Sequence, residues 1–156
     1  MAISKMSISK STSHSEQETR KIAAAFATRL KGNERICLIG PLGSGKTTFV
    51  RGLVEGLGIP PGHVQSPTFT LVREYGNHPK IYHIDLYRLE KEDDIFEPGI
   101  FEIINGEEGI VLVEWADKLA KYYPRERIEI RFSHASESGR VIEFEEDDGD
   151  RESQSQ

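Results

Sequence analysis

Apolar positions divide the chain into segments of different period. Ile22, Phe26 and Leu30 recur every four residues, the spacing of one apolar helix face. Ser15-Glu16-Gln17-Glu18 precedes them as a capping-box pattern, with the serine capping the first turn and Glu18 reaching back. The spacing predicts a helix from Ser15, ended by Lys31-Gly32-Asn33. Ile36-Cys37-Leu38-Ile39 is a short continuous apolar run, the type buried on both faces of a parallel sheet. Phe49, Leu53 and Leu57 line one side of a second helix, which Gly58 and Pro60-Pro61 stop. Strands are expected near 69–75, 80–86, 110–114, 127–132 and 140–144, and helical turns near 92–97, 100–105 and 116–122. The last two strands flank Ser133-His134-Ala135-Ser136-Glu137-Ser138-Gly139 and read as an antiparallel hairpin. Helices interspersed with strands around a buried central run predict an α/β fold. Its central sheet is mostly parallel, with helices on both faces and a C-terminal antiparallel hairpin.

Length and charge narrow the picture. The 156 residues suffice for one α/β domain with a core and are too few for two ordinary ones. The expected domain spans 14–144. Residues 1–13, rich in serine with Lys5 and Lys10, read as a disordered leader, with a short targeting segment as the alternative. Residues 145–156 read as a disordered acidic tail. The net charge is −6, from 20 basic and 26 acidic residues, and such a field repels a phosphate backbone. Direct gripping of nucleic acid is therefore not expected of this chain alone. No apolar run approaches the roughly 20 residues that span a bilayer, and the N-terminus has no secretory h-region. The lone Cys37, inside an apolar run, reads as a core residue and suits a reducing, cytoplasmic setting.

One stretch carries chemistry. Gly40-Pro41-Leu42-Gly43-Ser44-Gly45-Lys46-Thr47 fits the P-loop pattern G-x-x-x-x-G-K-[ST] at every fixed position. Glycines let the backbone curl through positive φ and approach a phosphate closely. Successive N–H groups form an anion nest, and the following helix aims its positive end at the same point. Lys46 supplies a charge for the β and γ phosphates, and Thr47 a hydroxyl for Mg²⁺. An apolar strand before the loop and an amphipathic helix after it complete the expected context, with Gly43, Ser44, Gly45, Lys46, Thr47 and Thr48 facing the nucleotide.

A P-loop needs a further carboxylate for the magnesium shell or the attacking water. Two acids stand at the C-terminal ends of strand-like runs. Glu114 follows Ile110-Val111-Leu112-Val113, a Walker B pattern with Glu for the usual Asp, and Asp85 follows Ile81-Tyr82-His83-Ile84. Ser66-Pro67-Thr68-Phe69-Thr70 lies where P-loop proteins carry a γ-phosphate-sensing switch, with Thr68 as its hydroxyl; an ordinary loop turned by Pro67 is the equal alternative. Trp115 either lines the nucleotide or packs the core. His83 reads as a structural histidine rather than a general base. Arg51, Arg73 and Arg88 read as ordinary exposed arginines.

Four motifs together resemble one family. Gly-Pro-Leu-Gly-Ser-Gly-Lys-Thr-Thr-Phe-Val-Arg-Gly-Leu (40–53) resembles the P-loop of the TsaE family, also called YjeE. Ser-Pro-Thr-Phe-Thr-Leu-Val (66–72) resembles its switch, His83-Ile84-Asp85-Leu86-Tyr87-Arg88-Leu89 its H-x-D-L-Y-R-L signature, and Val113-Glu114-Trp115 its V-E-W. The resemblance covers about residues 15–132. It implies a bacterial-type ATPase serving threonylcarbamoyladenosine synthesis in tRNA, working with the TsaB and TsaD proteins, and touching tRNA only through that complex. It also implies that Lys46 and Thr47 hold phosphates and magnesium. Asp85 and Glu114 would be the catalytic or metal-associated acids, Thr68 part of the switch, and Trp115 a neighbour of the nucleotide. Two positions depart from the family pattern: Pro41 stands where Asp is usual, and Ala116 where Pro is frequent.

The leading expectation is a slow, magnesium-dependent ATPase that helps a larger enzyme, since the short chain has room for a phosphate site and none evident for an acceptor substrate. A small-molecule kinase with Asp85 as base is the alternative, weakened by the lack of an arginine-rich lid. An ATP/ADP sensor without useful turnover is a third. The guanine-reading N-K-x-D motif is absent, which favours ATP.

Overall fold

The structure is a computed structural model and describes residues 6–60, 72–91, 99–124 and 126–147. Seven strands form one sheet: β1 (Met6–Ser13), β2 (Arg35–Ile39), β3 (Val72–Tyr75), β4 (Ile81–Asp85), β5 (Ile110–Glu114), β6 (Arg127–His134) and β7 (Arg140–Asp147). Their spatial order is β1-β7-β6-β2-β5-β4-β3. The four middle strands, β6-β2-β5-β4, are parallel, and antiparallel pairs close both edges. The expected hairpin is β6–β7, longer at both C-terminal ends than its apolar residues alone suggest.

Side-chain alternation in β2 sends Ile36 and Leu38 to one layer and Cys37 to the other. The first layer holds α1 (Glu16–Ala27) and α2 (Lys46–Gly56). Their Ala23, Phe26, Phe49 and Leu53 pack on Ile36, Leu38, Ile110, Leu112 and Ile130. The second layer holds α3 (Ile100–Asn105) and the 3-10 helix Ala116–Tyr122, through Ile100, Ile104, Ala116 and Leu119. α1 and α2 lie very close. A Cβ added to Gly52 would meet the Arg20 carbonyl oxygen at 2.4 Å, and one added to Gly56 the Ala24 Cα at 2.8 Å. Glycine at both positions is what lets the two backbones touch.

Cap chemistry at α1 follows the expected motif with one change. Ser15 Oγ accepts the Glu18 N–H at 3.1 Å, and Glu18 reaches back to the N–H of His14 rather than that of Ser15. The helix ends at Ala27, earlier than Lys31-Gly32-Asn33, because Thr28 turns its hydroxyl onto the Ala25 carbonyl and caps the last turn. The strand expected at 69–75 is described from Val72, and the helical turn near 92–97 lies outside the described residues.

Two boundaries need correction. Residues 6–13, expected as part of a disordered leader, form β1, paired in register with β7 from Met6↔Asp147 to Ser13↔Arg140. The acidic tail was expected from residue 145, yet β7 runs to Asp147. Glu145 and Glu146 have basic partners: Arg29, just past α1, contacts Glu146 at 2.6 Å, and Arg131 of β6 lies 3.9 Å from Glu145. The acidic strand thus meets basic side chains, and Lys10 of β1 pairs with Glu143 at 3.6 Å. Such exposed pairs contribute little stability each, so backbone pairing with β7 is what orders β1. Among the described residues, no helix is long and apolar enough to cross a membrane.

Candidate nucleotide site

The loop between β2 and α2 follows the parallel strands at their C-terminal edge. Gly43 and Gly45 have φ of +76° and +103°, values that L side chains rarely adopt, so these two glycines set the curl. Gly40 is needed for another reason: a Cβ there would stand 2.8 Å from the Phe132 carbonyl and 2.9 Å from Ser44 Oγ. Gly45 occupies the N-cap of α2. Glycine brings no side-chain acceptor to this cap, which leaves the first-turn N–H groups to a ligand.

Lys46 begins α2 and is buried. Its ammonium donates to the carbonyls of Gly40 and Pro41 and sits 4.2 Å from the centre of the Trp115 ring. Burial lowers the Lys46 pKa from its ordinary value; Glu114, Asp85 and Asp117 oppose that shift. Thr47 Oγ1 lies 3.0 and 3.2 Å from the two Glu114 oxygens and donates to that carboxylate. Asp85 and Glu114 end neighbouring parallel strands in direct register, so their carboxylates stand on the face that meets α2. Both are buried. Asp85 Oδ1 accepts the Tyr87 N–H at 2.9 Å. Like charges side by side destabilise a sheet, and a cation between them offsets that cost. Trp115, the residue after Glu114, has φ +58°, a conformation that costs energy for a tryptophan. The strained turn lays its ring beside Lys46 and 5.2 Å from the Tyr87 ring.

A cleft of about 580 Å³ runs over this loop. It takes in Gly43, Gly45, Lys46, Thr47, Thr48, Asp85, Glu114 and Trp115, so one space gathers most of the residues expected at the site. Ser44 is buried beneath the loop. Among the described residues, its Oγ has no hydrogen-bond partner. Thr68 and the 66–70 segment lie outside the described residues. None of Arg51, Arg73 and Arg88 is among the described residues that line the cleft.

The cleft also has an end that sequence reasoning missed. His14, Ser15, Glu16 and Thr19 enter from the β1–α1 corner, and Ser138 and Arg140 from the β6–β7 hairpin. The Arg140 guanidinium donates to the Gly43 carbonyl at 3.4 Å. Ser15 carried a signal only as a helix cap. The proximity of the corner to the hairpin follows from the Ser13↔Arg140 pairing, which no local pattern contains. Tyr87 and the exposed Leu42 complete the lining.

The donors suit a nucleotide with a hard divalent cation. The curled N–H groups and Lys46 match phosphate oxygens, whereas Ser44, expected at the nucleotide, is not among the described residues that line the cleft. Thr47, Glu114 and Asp85 offer oxygen ligands. Among the described residues, no group of three His, Cys, Asp or Glu side chains converges as a metal cage. Magnesium needs none, since it usually binds through one or two carboxylates together with water and substrate phosphates.

A positive-φ loop between a buried parallel strand and a helix, with an acid beside its threonine, defines a P-loop nucleotide-binding protein. Comparison with known proteins narrows the class. The family described as "Threonylcarbamoyl adenosine biosynthesis protein TsaE" matches residues 13–142, and the chain belongs to that family. A Bacillus subtilis protein named "tRNA threonylcarbamoyladenosine biosynthesis protein TsaE" is 41% identical over 129 residues, 82% of this chain and 79% of that protein. Its namesake from Aquifex aeolicus is 48% identical over 106 residues, 67% of this chain and 74% of that protein. The crystal structure of Bacillus subtilis YdiB superposes with a TM-score of 0.71 at 32% identity, covering 96% of this chain and 92% of that one.

Proposed function

We propose that this chain binds ATP with magnesium in the cleft, hydrolyses it slowly, and thereby serves threonylcarbamoyladenosine modification of tRNA next to the anticodon as a helper of a TsaB–TsaD complex. The observation that carries the reading is the contact of Thr47 with Glu114, whose charge acts on the buried Lys46 ammonium. Lys46 and the loop N–H groups bind the phosphates. Thr47 and Asp85 would hold magnesium, with Glu114 at its edge or on the attacking water. Magnesium, when bound, neutralises charge on the phosphates. Glu114 is buried and anchored at both oxygens, which suits an acid that orients water. The acids mark the terminal-phosphate end of the cleft. The nucleoside therefore extends the other way, towards His14, Ser138 and Arg140. The names of the relatives supply the tRNA context, and the acidic charge of the chain favours docking on protein over gripping RNA.

The test is ATP hydrolysis by the pure chain, with and without TsaB and TsaD. A low rate that rises with both partners is expected. A fast rate indifferent to them contradicts the helper role, and phosphate transfer from ATP to a screened nucleoside or sugar would replace it with a kinase.

A further inference from the structure

His83 is fully buried between β3 and β5, and the proposed nucleotide chemistry gives it no task. Its Nε2 lies 2.5 Å from Glu114 Oε2, and its Nδ1 lies 3.4 Å from the Tyr75 hydroxyl. A carboxylate only accepts, so the imidazole must present Nε2–H to Glu114. In the neutral ring Nδ1 is then bare and accepts from the Tyr75 O–H. Partners on both sides thus select one tautomer. Strand register explains why the three meet. Glu114 is level with Asp85, and Tyr75 is level with Ile81. His83 lies midway between those two positions on the same face, diagonal to both partners. Packing alone would favour an apolar residue among Ile81, Leu112 and their neighbours, because a buried imidazole is costly unless bonded.

The geometry points to His83 as a positioning residue that aims the Glu114 carboxylate, with Tyr75 fixing the histidine in turn. Thr47 also bonds Glu114, but its hydroxyl belongs to the loop that meets phosphate and magnesium. His83 belongs to the sheet. It holds Glu114 in place when the threonine hydroxyl turns to another partner. The sequence H-x-D therefore places two functions on one strand face, with Asp85 at the cleft and His83 one step behind it supporting the neighbouring acid. This inference rests on the proposed hydrolysis, in which the aim of Glu114 matters.

The experiment compares His83→Leu, which removes both ring nitrogens, with His83→Gln, whose amide N–H reaches about as far as Nε2. Losing such an outer support costs roughly tenfold or more. In His83→Leu, kcat is expected to fall by about that factor, corrected for folded fraction, while the ATP Kd stays within about twofold. His83→Gln should recover most of the rate. Wild-type kcat in His83→Leu, or equal losses in both variants, overturns the inference. If neither variant folds, Tyr75→Phe decides, since it keeps the ring and removes only the hydroxyl. A several-fold lower kcat at unchanged Kd supports the relay, and an unchanged kcat contradicts it. If the wild-type chain shows no turnover, the hydrolysis reading fails by itself. The contact is then read by proton NMR: the downfield Nε2–H resonance of His83 should move on Glu114→Gln, and an unmoved resonance refutes the positioning.

Discussion

The two ends of the cleft are built in different ways. At the phosphate end, Gly40 to Thr47 is one continuous stretch, and the chemistry follows from residues adjacent in sequence. At the other end, His14 and Thr19 share the cleft lining with Ser138 and Arg140 across more than a hundred residues, brought together by β1 lying against β7. The first end is a motif and the second is an assembly. A motif tolerates changes elsewhere in the chain, while an assembly depends on every contact that brings its parts together. α1 and α2 connect the two, since α1 starts at the corner and α2 starts at the loop.

The largest expected effect confines itself to the phosphate end. Glu114→Gln keeps the shape of the side chain and removes its charge. Hydrolysis should fall by about 10²–10⁴-fold, while ATP binding measured by calorimetry changes only a few-fold. A loss of binding equal to the loss of rate would make Glu114 a holder of nucleotide rather than an acid aimed at water.

The joint between the ends is the next place to strike. Gly52→Ala drives a methyl group into the Arg20 backbone, 2.4 Å away where no side chain can move aside. Overpacking of this kind costs about 1–3 kcal/mol, read as a lower Tm. ATP affinity should fall with it, because the α1 corner shifts against the loop. Unchanged stability would mean that the two helices have slack that their close backbones do not suggest.

A smaller effect separates the ends directly. Arg140→Ala should weaken ATP about fivefold, in the range of a single exposed polar contact, and leave inorganic tripolyphosphate within about twofold. Equal losses on both ligands would move Arg140 to the phosphate end, where it already touches the Gly43 carbonyl.

The smallest effect is a pH dependence. Burial lowers the Lys46 pKa, so this lysine loses its charge at a lower pH than an exposed one. Nucleotide affinity should decline with rising pH starting below the ordinary lysine range near 10.4. The stability term has the opposite sign. Between the lowered folded value and the ordinary one, the unfolded chain binds more protons, so this group makes the fold more stable as pH rises through that window. Titrating ATP affinity across alkaline pH, with Lys46→Arg as a control that stays charged, checks the first statement.

Legibility in the sequence followed the same division. The loop, β2 and α2 could be read because glycine curl, apolar run and helix face all lie within about twenty residues. β5 coincides with the strand expected near 110–114, since four apolar residues in a row ending in an acid leave little choice. β1 was not. Ile8, Ser9 and Lys10 are exposed, and the strand exists through its pairing with β7. The acidic run after residue 144 resembles a solvated tail in sequence because nothing local shows that Arg29 and Arg131 stand opposite it. Asp85 and Glu114 could be chosen as strand-end acids, but their level pairing, and the grip of His83 on Glu114, are properties of register. The residues alone left Trp115 open between lining the nucleotide and packing the core; its place beside Lys46, on a strained φ, is a property of the fold. Cys37 behaved as a core residue: burial pushes its thiol up to about 12.

The central claim is that a nucleotide's phosphates bind at the β2–α2 loop through Lys46. The most direct measurement is the ATP Kd of the wild-type chain and of Lys46→Ala, read from Trp115, the single tryptophan, whose ring lies 4.2 Å from the Lys46 ammonium. A fluorescence change that saturates in the wild type, and an affinity weaker by on the order of 100-fold in the variant at unchanged Tm, is the predicted result. Equal affinity in the two proteins would contradict it.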